Sequence, residues 1–519
     1  MKRRTFGHWL VRQGGAVVLG AGAGGCAAPV SRPVSNVAVA GQAATRTPDE
    51  TVSARPASPL PEPGPPPVLH IPARTEERLG DHGLTLTVAP RPGLPLVSVA
   101  LVLRCGSAFD PPGRRGTAEL MVQCWMRGVL RRGRPVEGVA LARQAQALGG
   151  AVSVRVEERW TMLEMTVLAP RAGAALALLS DVLRHPLLAP ADLPGLRGQA
   201  RDALALRLQD PAQLAALVAR RTAWGAESPG SVTTPASLMA VRHEDVLALH
   251  RRWVRPDRVA VVLAGDIDVA GARALAGPVL EGWARPAEPL AAEPAEPGAL
   301  PEPLLPQTLL LHLPAVAQTS VLVCAPFVGT EAADHAAGTL AAAVVGAGHS
   351  ARLNQEVRVR RGLSYGVTGR TEPQRLTGLF VASAQTEHAH AAEVAALMQT
   401  QLLALAQQPV GSAELVARRA AMIGALARQL DTTSGLVARI GEEWALGHPV
   451  EWLSRWPARL EAVSPAQVRA FAQQHWTAAR LRTVIAGPVD RIFAATAWPA
   501  GAVRLEASAL VLDSPSLRR

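Results

Sequence analysis

The sequence predicts an α+β fold, an α/β sandwich made of two similar halves. Segments whose apolar residues alternate, as in half-buried strands, are interspersed with segments of helical period. A stretch rich in Pro, Ala and Glu at 284–306 indicates a linker, and the order of segments is partly repeated on its two sides. The repeat is clearest where 245–268 aligns with 467–490, since each reads as a helix followed by a strand. Such a repeat indicates an ancient duplication.

The apolar patterns place the elements of each half in order. In the first half they predict strands at 84–88 and 97–103, helices at 117–127 and 138–147, a hairpin of 151–156 with 161–168, helices at 173–184, 191–223 and 235–253, and a strand at 259–264. In the second half they predict a strand at 320–324, a helix near 332–345 and a late helix–strand pair. We therefore expect domains at 76–283 and 307–500, with 501–519 as a loose tail.

Composition excludes several classes of protein. The chain has 519 residues, of which 48% are hydrophobic and 18% charged, enough for packed cores in two large domains. The net charge is +11, but Lys2 is the only lysine and aromatic residues make up only 3%, so no nucleic-acid partner is expected. The cysteines are too few and scattered for a disulfide framework or a Cys-type zinc site, and Cys105 and Cys324 are predicted to be buried thiols.

Residues 1–28 have the features of an export signal. Lys2, Arg3 and Arg4 precede a mild apolar run at 14–25 that is too short to cross a membrane. The arginine pair fits either a twin-arginine signal or an ordinary basic region. Cys26 follows a segment similar to a lipoprotein box, so either Cys26 is lipidated or cleavage follows Ala28. Because the Pro- and Ala-rich residues 29–75 read as a tether, we expect an exported periplasmic lipoprotein anchored to a membrane.

The stretch 346–367 carries the chemistry that we consider most informative. A turn with Gly346 and Gly348 leads into a helical run, which Gly362 should end. Arg358 and Tyr365 then lie on either side of this helix end, and Tyr365 is the only tyrosine in the chain. A guanidinium and a phenol at one corner can both donate hydrogen bonds to a carbonyl oxygen. The alternative is an arginine on a solvated helix and a tyrosine packed at a strand start.

This stretch resembles the C-terminal half of pitrilysin/insulinase-type zinc peptidases. The matching residues are Ser350, Arg352, Leu353, Glu356, Arg358, Gly362, Leu363 and Tyr365, while Ala351 departs from the family's usual small polar residue. The resemblance covers about 80–495 and implies that each half is a mostly antiparallel sheet flanked by helices. It also implies that Arg358 and Tyr365 contact the substrate backbone beside the scissile bond, with Gly346 and Gly348 among the substrate-binding residues.

A second resemblance concerns the approach of the substrate. The segment beginning Gly149, Gly150, Ala151 and Val152 resembles the edge strand on which this family pairs an extended peptide. The alternative is an ordinary edge strand. Backbone pairing of this kind would recognise an extended shape rather than one sequence.

The family's zinc motif is missing. These enzymes carry H-x-x-E-H on the first long helix, with two His ligands and a Glu that acts as base. Here the matching positions are Glu119, Val122 and Gln123, and no glutamate lies between Glu164 and Glu227 to supply a third ligand. We therefore expect no metal and no cofactor in this chain. A cluster at Glu387, His388, His390 and Glu393 is predicted to be a surface helix rather than a metal site.

These expectations lead to a functional hypothesis. By resemblance, the chain would be the substrate-binding, non-catalytic subunit of a two-chain peptidase that cleaves peptides in the cell envelope. It would be inactive alone, and a family member with H-x-x-E-H would bring the zinc. Two alternatives stay open: a structural or peptide-binding relative without enzymatic function, and an autonomous zinc peptidase with altered ligands.

Overall fold

The computed structural model describes residues 69, 71–79, 83–225, 229–280, 282–283, 287–300, 306–514 and 516–518. The predicted export signal, most of the predicted tether and Cys26 lie outside these residues. Within the described ranges, no helix combines the length and the apolar character needed to traverse a bilayer.

The first half contains a sheet, called sheet 1 here, and the helices around it. Its strands are β1 (Thr75–Leu79), β2 (Leu84–Pro90), β3 (Leu96–Leu103), β4 (Gly128–Arg131), β5 (Arg134–Glu137), β6 (Ser153–Val156), β7 (Thr161–Leu168) and β8 (Val259–Gly265). Its helices are α1 (Thr117–Trp125), α2 (Gly138–Ala147), α3 (Ala172–Arg184), α4 (Asp192–Gln209), α5 (Pro211–Trp224), α6 (Pro235–Ala240), α7 (His243–Trp253) and α8 (Val269–Leu280). In the described residues, sheet 1 has six strands in the order β1-β2-β8-β3-β7-β6, and β4 and β5 form a separate hairpin.

The second half contains sheet 2. Its strands are β9 (Thr308–His312), β10 (Thr319–Val328), β11 (Ser364–Pro373), β12 (Thr377–Thr386), β13 (Arg482–Gly487) and β14 (Val503–Glu506). Its α-helices are α9 (His335–Gly346), α10 (Ala391–Gln407), α11 (Ser412–Leu430), α12 (Thr433–Ala445), α13 (Trp452–Glu461), α14 (Pro465–His475) and α15 (Val489–Ile492). The order of sheet 2 is β11-β12-β10-β13-β9-β14 over the residues described.

The two sheets repeat the same connections, which confirms the predicted fold class. In sheet 1, β2 runs parallel to β8, and the remaining steps from β8 through β3 and β7 to β6 are antiparallel. In sheet 2, β9 runs parallel to β13, and the steps through β10 and β12 to β11 are antiparallel. Thus β2, β3, β6, β7 and β8 correspond to β9, β10, β11, β12 and β13.

Three local expectations were wrong. The predicted helix at 235–253 is divided into α6 and α7, because Val241 and Arg242 between them have an extended backbone. The predicted helix at 191–223 is two helices, because Asp210 has an extended backbone, accepts a hydrogen bond from Gln213 N at 2.8 Å, and is followed by Pro211 at the first position of α5. The predicted loose tail at 501–519 instead adds β14 to sheet 2 in parallel with β9, and it buries Leu505, Leu512 and Leu517. Three apolar side chains in 501–519 thus find a core that local patterning did not indicate.

Each sheet is covered on one face by helices of its own half. The core of the first half lies between sheet 1 and α1, α3 and α7, and includes Trp125 and Leu179. The core of the second half lies between sheet 2 and α9, α10 and α14, and includes Phe380 and Phe471. Cys105, Cys124 and Cys324 are free and buried, which confirms the prediction for Cys105 and Cys324.

The opposite face of each sheet is covered by a helix of the other half. Helix α5 of the first half packs Leu214 and Val218 on sheet 2, in a cluster with Leu322. Helix α12 of the second half packs Leu436 and Ile440 on sheet 1. The halves therefore share two cores, and neither can bury its sheet without the other.

Polar side-chain contacts also join the two halves where α12 packs on sheet 1. Ser98 Oγ lies 2.8 Å from Thr433 Oγ1, and Arg155 Nη1 lies 3.1 Å from Glu442 Oε1. The predicted linker contributes as well, because Glu296 interacts with Arg159 of the first half and Arg375 of the second, at 3.8 and 3.6 Å. These contacts orient α12 and the linker on the two sheets.

The exchanged packing predicts a selective loss of stability. Leu436→Ala removes a side chain that is 0% exposed, so we expect the free energy of unfolding to fall by about 2–5 kcal/mol. The matched control is Leu206→Ala, at a leucine that is 70% exposed, with an expected change within about 0.5 kcal/mol. Urea unfolding measures both. Equal losses for the two variants would contradict the covering role of α12.

His335 predicts an acid-sensitive core in the second half. Burial, assisted by Arg459, lowers the pKa of His335 to about 4, and its ring lies between Phe327 and Trp456 with centroid distances of 5.6 and 5.4 Å. The neutral ring therefore stabilises the fold above the unfolded pKa near 6.5, and this contribution is lost as pH falls through about 4.

The expected loss between pH 7 and pH 4 is about 3 kcal/mol from this residue. Urea unfolding of the native protein and of His335→Phe at both pH values isolates it, because the variant lacks the titrating group. The same pH dependence in both proteins would show that His335 is not the source.

Candidate functional site

The predicted helix of the 346–367 stretch is present, but as a π-helix. It spans Asn354–Arg360 and is terminated two residues further on by Gly362, whose φ of +66° is a backbone conformation that favours glycine. Beyond it, Leu363 N donates to Val357 O at 2.9 Å. The predicted helix end at Gly362 is confirmed, and the wider π turn sets where Arg358 projects.

A β-bulge places Tyr365. The pairing of β11 with β12 shifts between Ser364 and Val367, so Tyr365 and Gly366 lie outside the regular ladder. Ser364 Oγ donates to Gln385 O at 2.7 Å and accepts from Gly366 N at 3.2 Å, which fixes the bulge. As a result the Tyr365 side chain is 89% exposed, and the alternative of a tyrosine packed at the strand start is wrong.

The structure brings Arg358 and Tyr365 together, and we call them the Arg/Tyr pair. The guanidinium carbon of Arg358 lies 4.9 Å from the centroid of the Tyr365 ring. Arg358 Nη1 also donates to His349 Nδ1 at 2.9 Å. The other guanidinium N–H groups and the phenol can therefore serve as donors to a ligand oxygen at this exposed corner.

Asn354 holds the corner together, and sequence reasoning missed it. Its side-chain amide donates to Gly348 O at 3.0 Å and to Val367 O at 2.6 Å, and its Oδ1 accepts from Val367 N at 2.9 Å. One buried side chain thus joins the glycine turn, the π-helix and the end of the bulge. The sequence shows only an asparagine next to the family-like residues. Its hydrogen-bond partners lie six to thirteen positions away, so local patterning does not reveal its role.

Two arginines fix the glycine turn from outside. Arg352 forms two hydrogen bonds with Glu414 of α11, at 3.0 and 2.8 Å, and Arg418 Nη1 donates to Ala347 O at 3.0 Å. Gly346 is buried, and a Cβ added to it would lie 2.5 Å from the Cα of Gly369. The expectation that Gly346 contacts substrate is therefore wrong, because it permits close packing of α9 on β11, whereas Gly348 is exposed.

The predicted docking strand lies at a sheet edge. Strand β6 begins at Ser153 and forms the edge of sheet 1, so Gly149, Gly150, Ala151 and Val152 lead into it rather than belonging to it. A cavity of about 280 Å³ adjoins this edge, lined by Gly150, Ala151, Ser153, Ser98, Thr166, Glu164, Met165 and Ser434. The edge is thus available, with polar groups beside it, but Val152 is buried and faces the core.

Helix α1 carries the degenerate zinc motif, and Asp110 in the segment before it has a structural role. Asp110 accepts hydrogen bonds from Gly116 N at 2.8 Å and Ala118 N at 2.6 Å, which caps the start of α1. Burial raises the pKa of Asp110 to about 7, against the opposing effect of Arg115. The segment from Asp110 to Ala118 therefore serves to start α1, whether or not a metal is bound by the helix.

The motif positions do not fit zinc. Val122 is 3% exposed and belongs to the core, and Gln123 is half-buried. Solvent reaches Glu119, yet the surrounding protein raises the pKa of its carboxyl by desolvation, opposed by Arg207 and Arg115. Zinc needs several His, Cys or carboxylate ligands, and no group of three or more such residues that could hold a metal occurs in the part of the chain described here.

Comparisons with known proteins agree with the family resemblance drawn from the sequence. A family profile described as insulinase (peptidase family M16) matches residues 88–224, and one described as peptidase M16 inactive domain matches residues 240–422. An uncharacterized zinc protease of Streptomyces coelicolor is 23% identical over 408 residues, covering 75% of this chain and 85% of that protein. One from Bacillus subtilis is 21% identical over 400 residues, covering 76% and 94%.

Solved structures share the fold. The peptidase M16 inactive domain from Pseudomonas fluorescens has a TM-score of 0.72 at 22% identity, covering 80% of this chain and 98% of that one. A protease from Helicobacter pylori has a TM-score of 0.74 at 15% identity, covering 81% and 100%. The chain belongs to the pitrilysin/insulinase (M16) peptidase family, and it is an inactive homologue because Glu119, Val122 and Gln123 replace the zinc motif.

The role of Asn354 predicts a specific structural defect. Asn354→Asp keeps the acceptor for Val367 N but removes the two donors to Gly348 O and Val367 O. Because the buried carbonyl of Val367 would lose its partner, as would the partly buried carbonyl of Gly348, we expect the free energy of unfolding to fall by about 1–3 kcal/mol, with faster amide exchange at 362–368.

The matched control is Gln355→Glu, the same chemical change at the next position, where the amide makes one exposed bond to His349 O at 3.0 Å. Its expected effect on unfolding is within about 0.5 kcal/mol. Comparable losses from both variants would show that Asn354 has no special role in this corner.

Proposed function

We propose that this chain is the substrate-binding subunit of a two-chain peptidase. An H-x-x-E-H family member would supply the zinc and the base, and this chain would supply the Arg/Tyr pair. The chain would be inactive alone. The observation that carries the proposal is the pair itself: two hydrogen-bond donors that adjoin each other, 4.9 Å from guanidinium carbon to ring centroid, in a family member without a zinc motif.

The construction of the corner supports a role in ligand binding. The bulge, the π-helix and the buried side-chain amide of Asn354 hold the largely exposed phenol beside the guanidinium. The guanidinium is itself hydrogen-bonded to His349. Exposing an aromatic side chain in this way gives the folded chain no packing energy. Such donors fit the carbonyl oxygen of a peptide, whose negative charge grows when it is attacked.

The peptide would lie as an added strand on β6. This edge is unpaired within sheet 1, and hydrogen bonds from its backbone would bind an extended peptide with broad specificity. The proposal also includes export through residues 1–28 and anchoring through a lipid on Cys26, so that the pair would act on peptides in the periplasm.

Tyr365→Phe tests the role of the phenol. The chain is co-expressed with an H-x-x-E-H relative from the same genome, and turnover of a mixed peptide library is measured for the pair and for each chain alone. We expect activity only in the pair and a loss of about 10²- to 10³-fold in the variant, since it removes one donor to the developing oxyanion.

The matched control is Thr368→Val, which removes an exposed hydroxyl from the same strand and should leave turnover unchanged. A loss below about threefold in Tyr365→Phe would exclude the phenol from catalysis. Activity of this chain alone, or no activity in any mixture, would contradict the two-chain proposal.

A further inference from the structure

A difference between the two repeated halves reveals a groove on the second half. In the first half, β8 is followed by α8, which packs against α3 and β2 and buries Ala272 and Ala276. Its Leu275 lies so close to Gly173 of α3 that a Cβ there would be 2.9 Å from the leucine. A helix of about three turns thus covers this place.

Among the residues of the second half that the structure describes, no helix of this length lies at the corresponding place. Its strand β13, the counterpart of β8, is followed only by α15, which spans four residues. The next described residues, 493–502, form no helix. The surface bounded by α10, β9 and β13, the counterparts of α3, β2 and β8, is therefore left with a groove of about 340 Å³.

The lining of this groove suits a closely packed helix. One wall is α10 from Ala392 to Leu403, eleven positions or about 16 Å along the helix, close to the length of about 18 Å for the twelve residues of α8. That wall presents Ala392, Ala395 and Ala396, small side chains that permit a near approach between helix axes.

The groove is also electrically neutral. The described residues that line it carry no ionisable side chain, and two of its polar groups bond to each other, with Gln399 Nε2 donating to Thr483 Oγ1 at 2.7 Å. The groove therefore suits a neutral helix face rather than a charged segment.

We propose that this groove binds a short amphipathic helix of another protein chain, with a neutral stripe of small and apolar residues like Ala272, Leu275 and Ala276 of α8. The bound helix would complete the second half in the way that α8 completes the first. Its assignment to the zinc-bearing partner rests on the proposed function, while the groove itself does not.

The first experiment uses no partner. A fluorescent peptide with the sequence of residues 267–281 is titrated with the full chain, and anisotropy is expected to give a dissociation constant on the order of 10⁻⁴ M. Ala396→Arg places a charged side chain in the groove from an exposed position of α10 and should weaken binding at least tenfold. Ala417→Arg, at an exposed position of α11, should not.

A second peptide carrying Leu275→Asp should not bind, because a charge would enter the neutral groove. Thermal unfolding of both chain variants confirms that they fold. Absence of binding by the native chain, or equal binding by Ala396→Arg, overturns the proposal.

The second experiment measures assembly of this chain with the H-x-x-E-H relative. A tenfold weaker assembly for Ala396→Arg, with Ala417→Arg unchanged, supports the assignment of the bound helix to that partner. Unchanged assembly of Ala396→Arg overturns the assignment. If no pair forms even with the native chain, the proposed function fails, whereas the peptide titration still decides whether the groove binds helices.

Discussion

The fold depends on an exchange of helices between its two halves. Each six-stranded sheet has two apolar faces, and the helices of its own half cover only one of them. Helix α5 covers the second face of sheet 2, and α12 covers the second face of sheet 1. The exchange begins where Asp210 and Pro211 end α4 and start α5 in a new direction. Because the hydrophobic effect opposes exposure of either face to water, the relative positions of the two halves are set first by their shared cores, and the linker adds the ion pairs of Glu296.

The two halves have diverged in opposite ways at corresponding elements. Helix α1 is capped by Asp110, but its motif positions hold a buried valine, a neutral amide and a carboxylate near Arg207. The edge strand β11, which corresponds to β6, has a bulge that interrupts its ladder and exposes Tyr365. A bulged edge is poorly suited to pair with another strand. The first half thus has a regular edge strand at β6, whereas the second half has the exposed hydrogen-bond donors beside its bulged edge strand β11.

The geometry of the Arg/Tyr pair depends on residues that are distant from it in the chain. Its two members are seven residues apart, but their geometry depends on Asn354, on the pairing of β11 with β12, and on Glu414 of α11, which holds Arg352. A residue that positions others through backbone carbonyls can be recognised only when those carbonyls are brought to it by the fold. The same comparison of repeats also shows where α8 has no counterpart among the described residues of the second half, and a neutral groove lies there.

The sequence by itself determined the fold class, the family, the loss of the zinc motif and the end of the helix at Gly362. These follow from residue types at fixed spacing, because periodicity, a glycine at a helix end and missing ligands are local properties. Only the tertiary structure decided that Gly346 is buried against Gly369, that the last residues form β14, and that Asn354 joins three segments. Each of these depends on contacts between residues far apart in the chain or on which face of a sheet remains uncovered, and such contacts exist only after the halves have packed together.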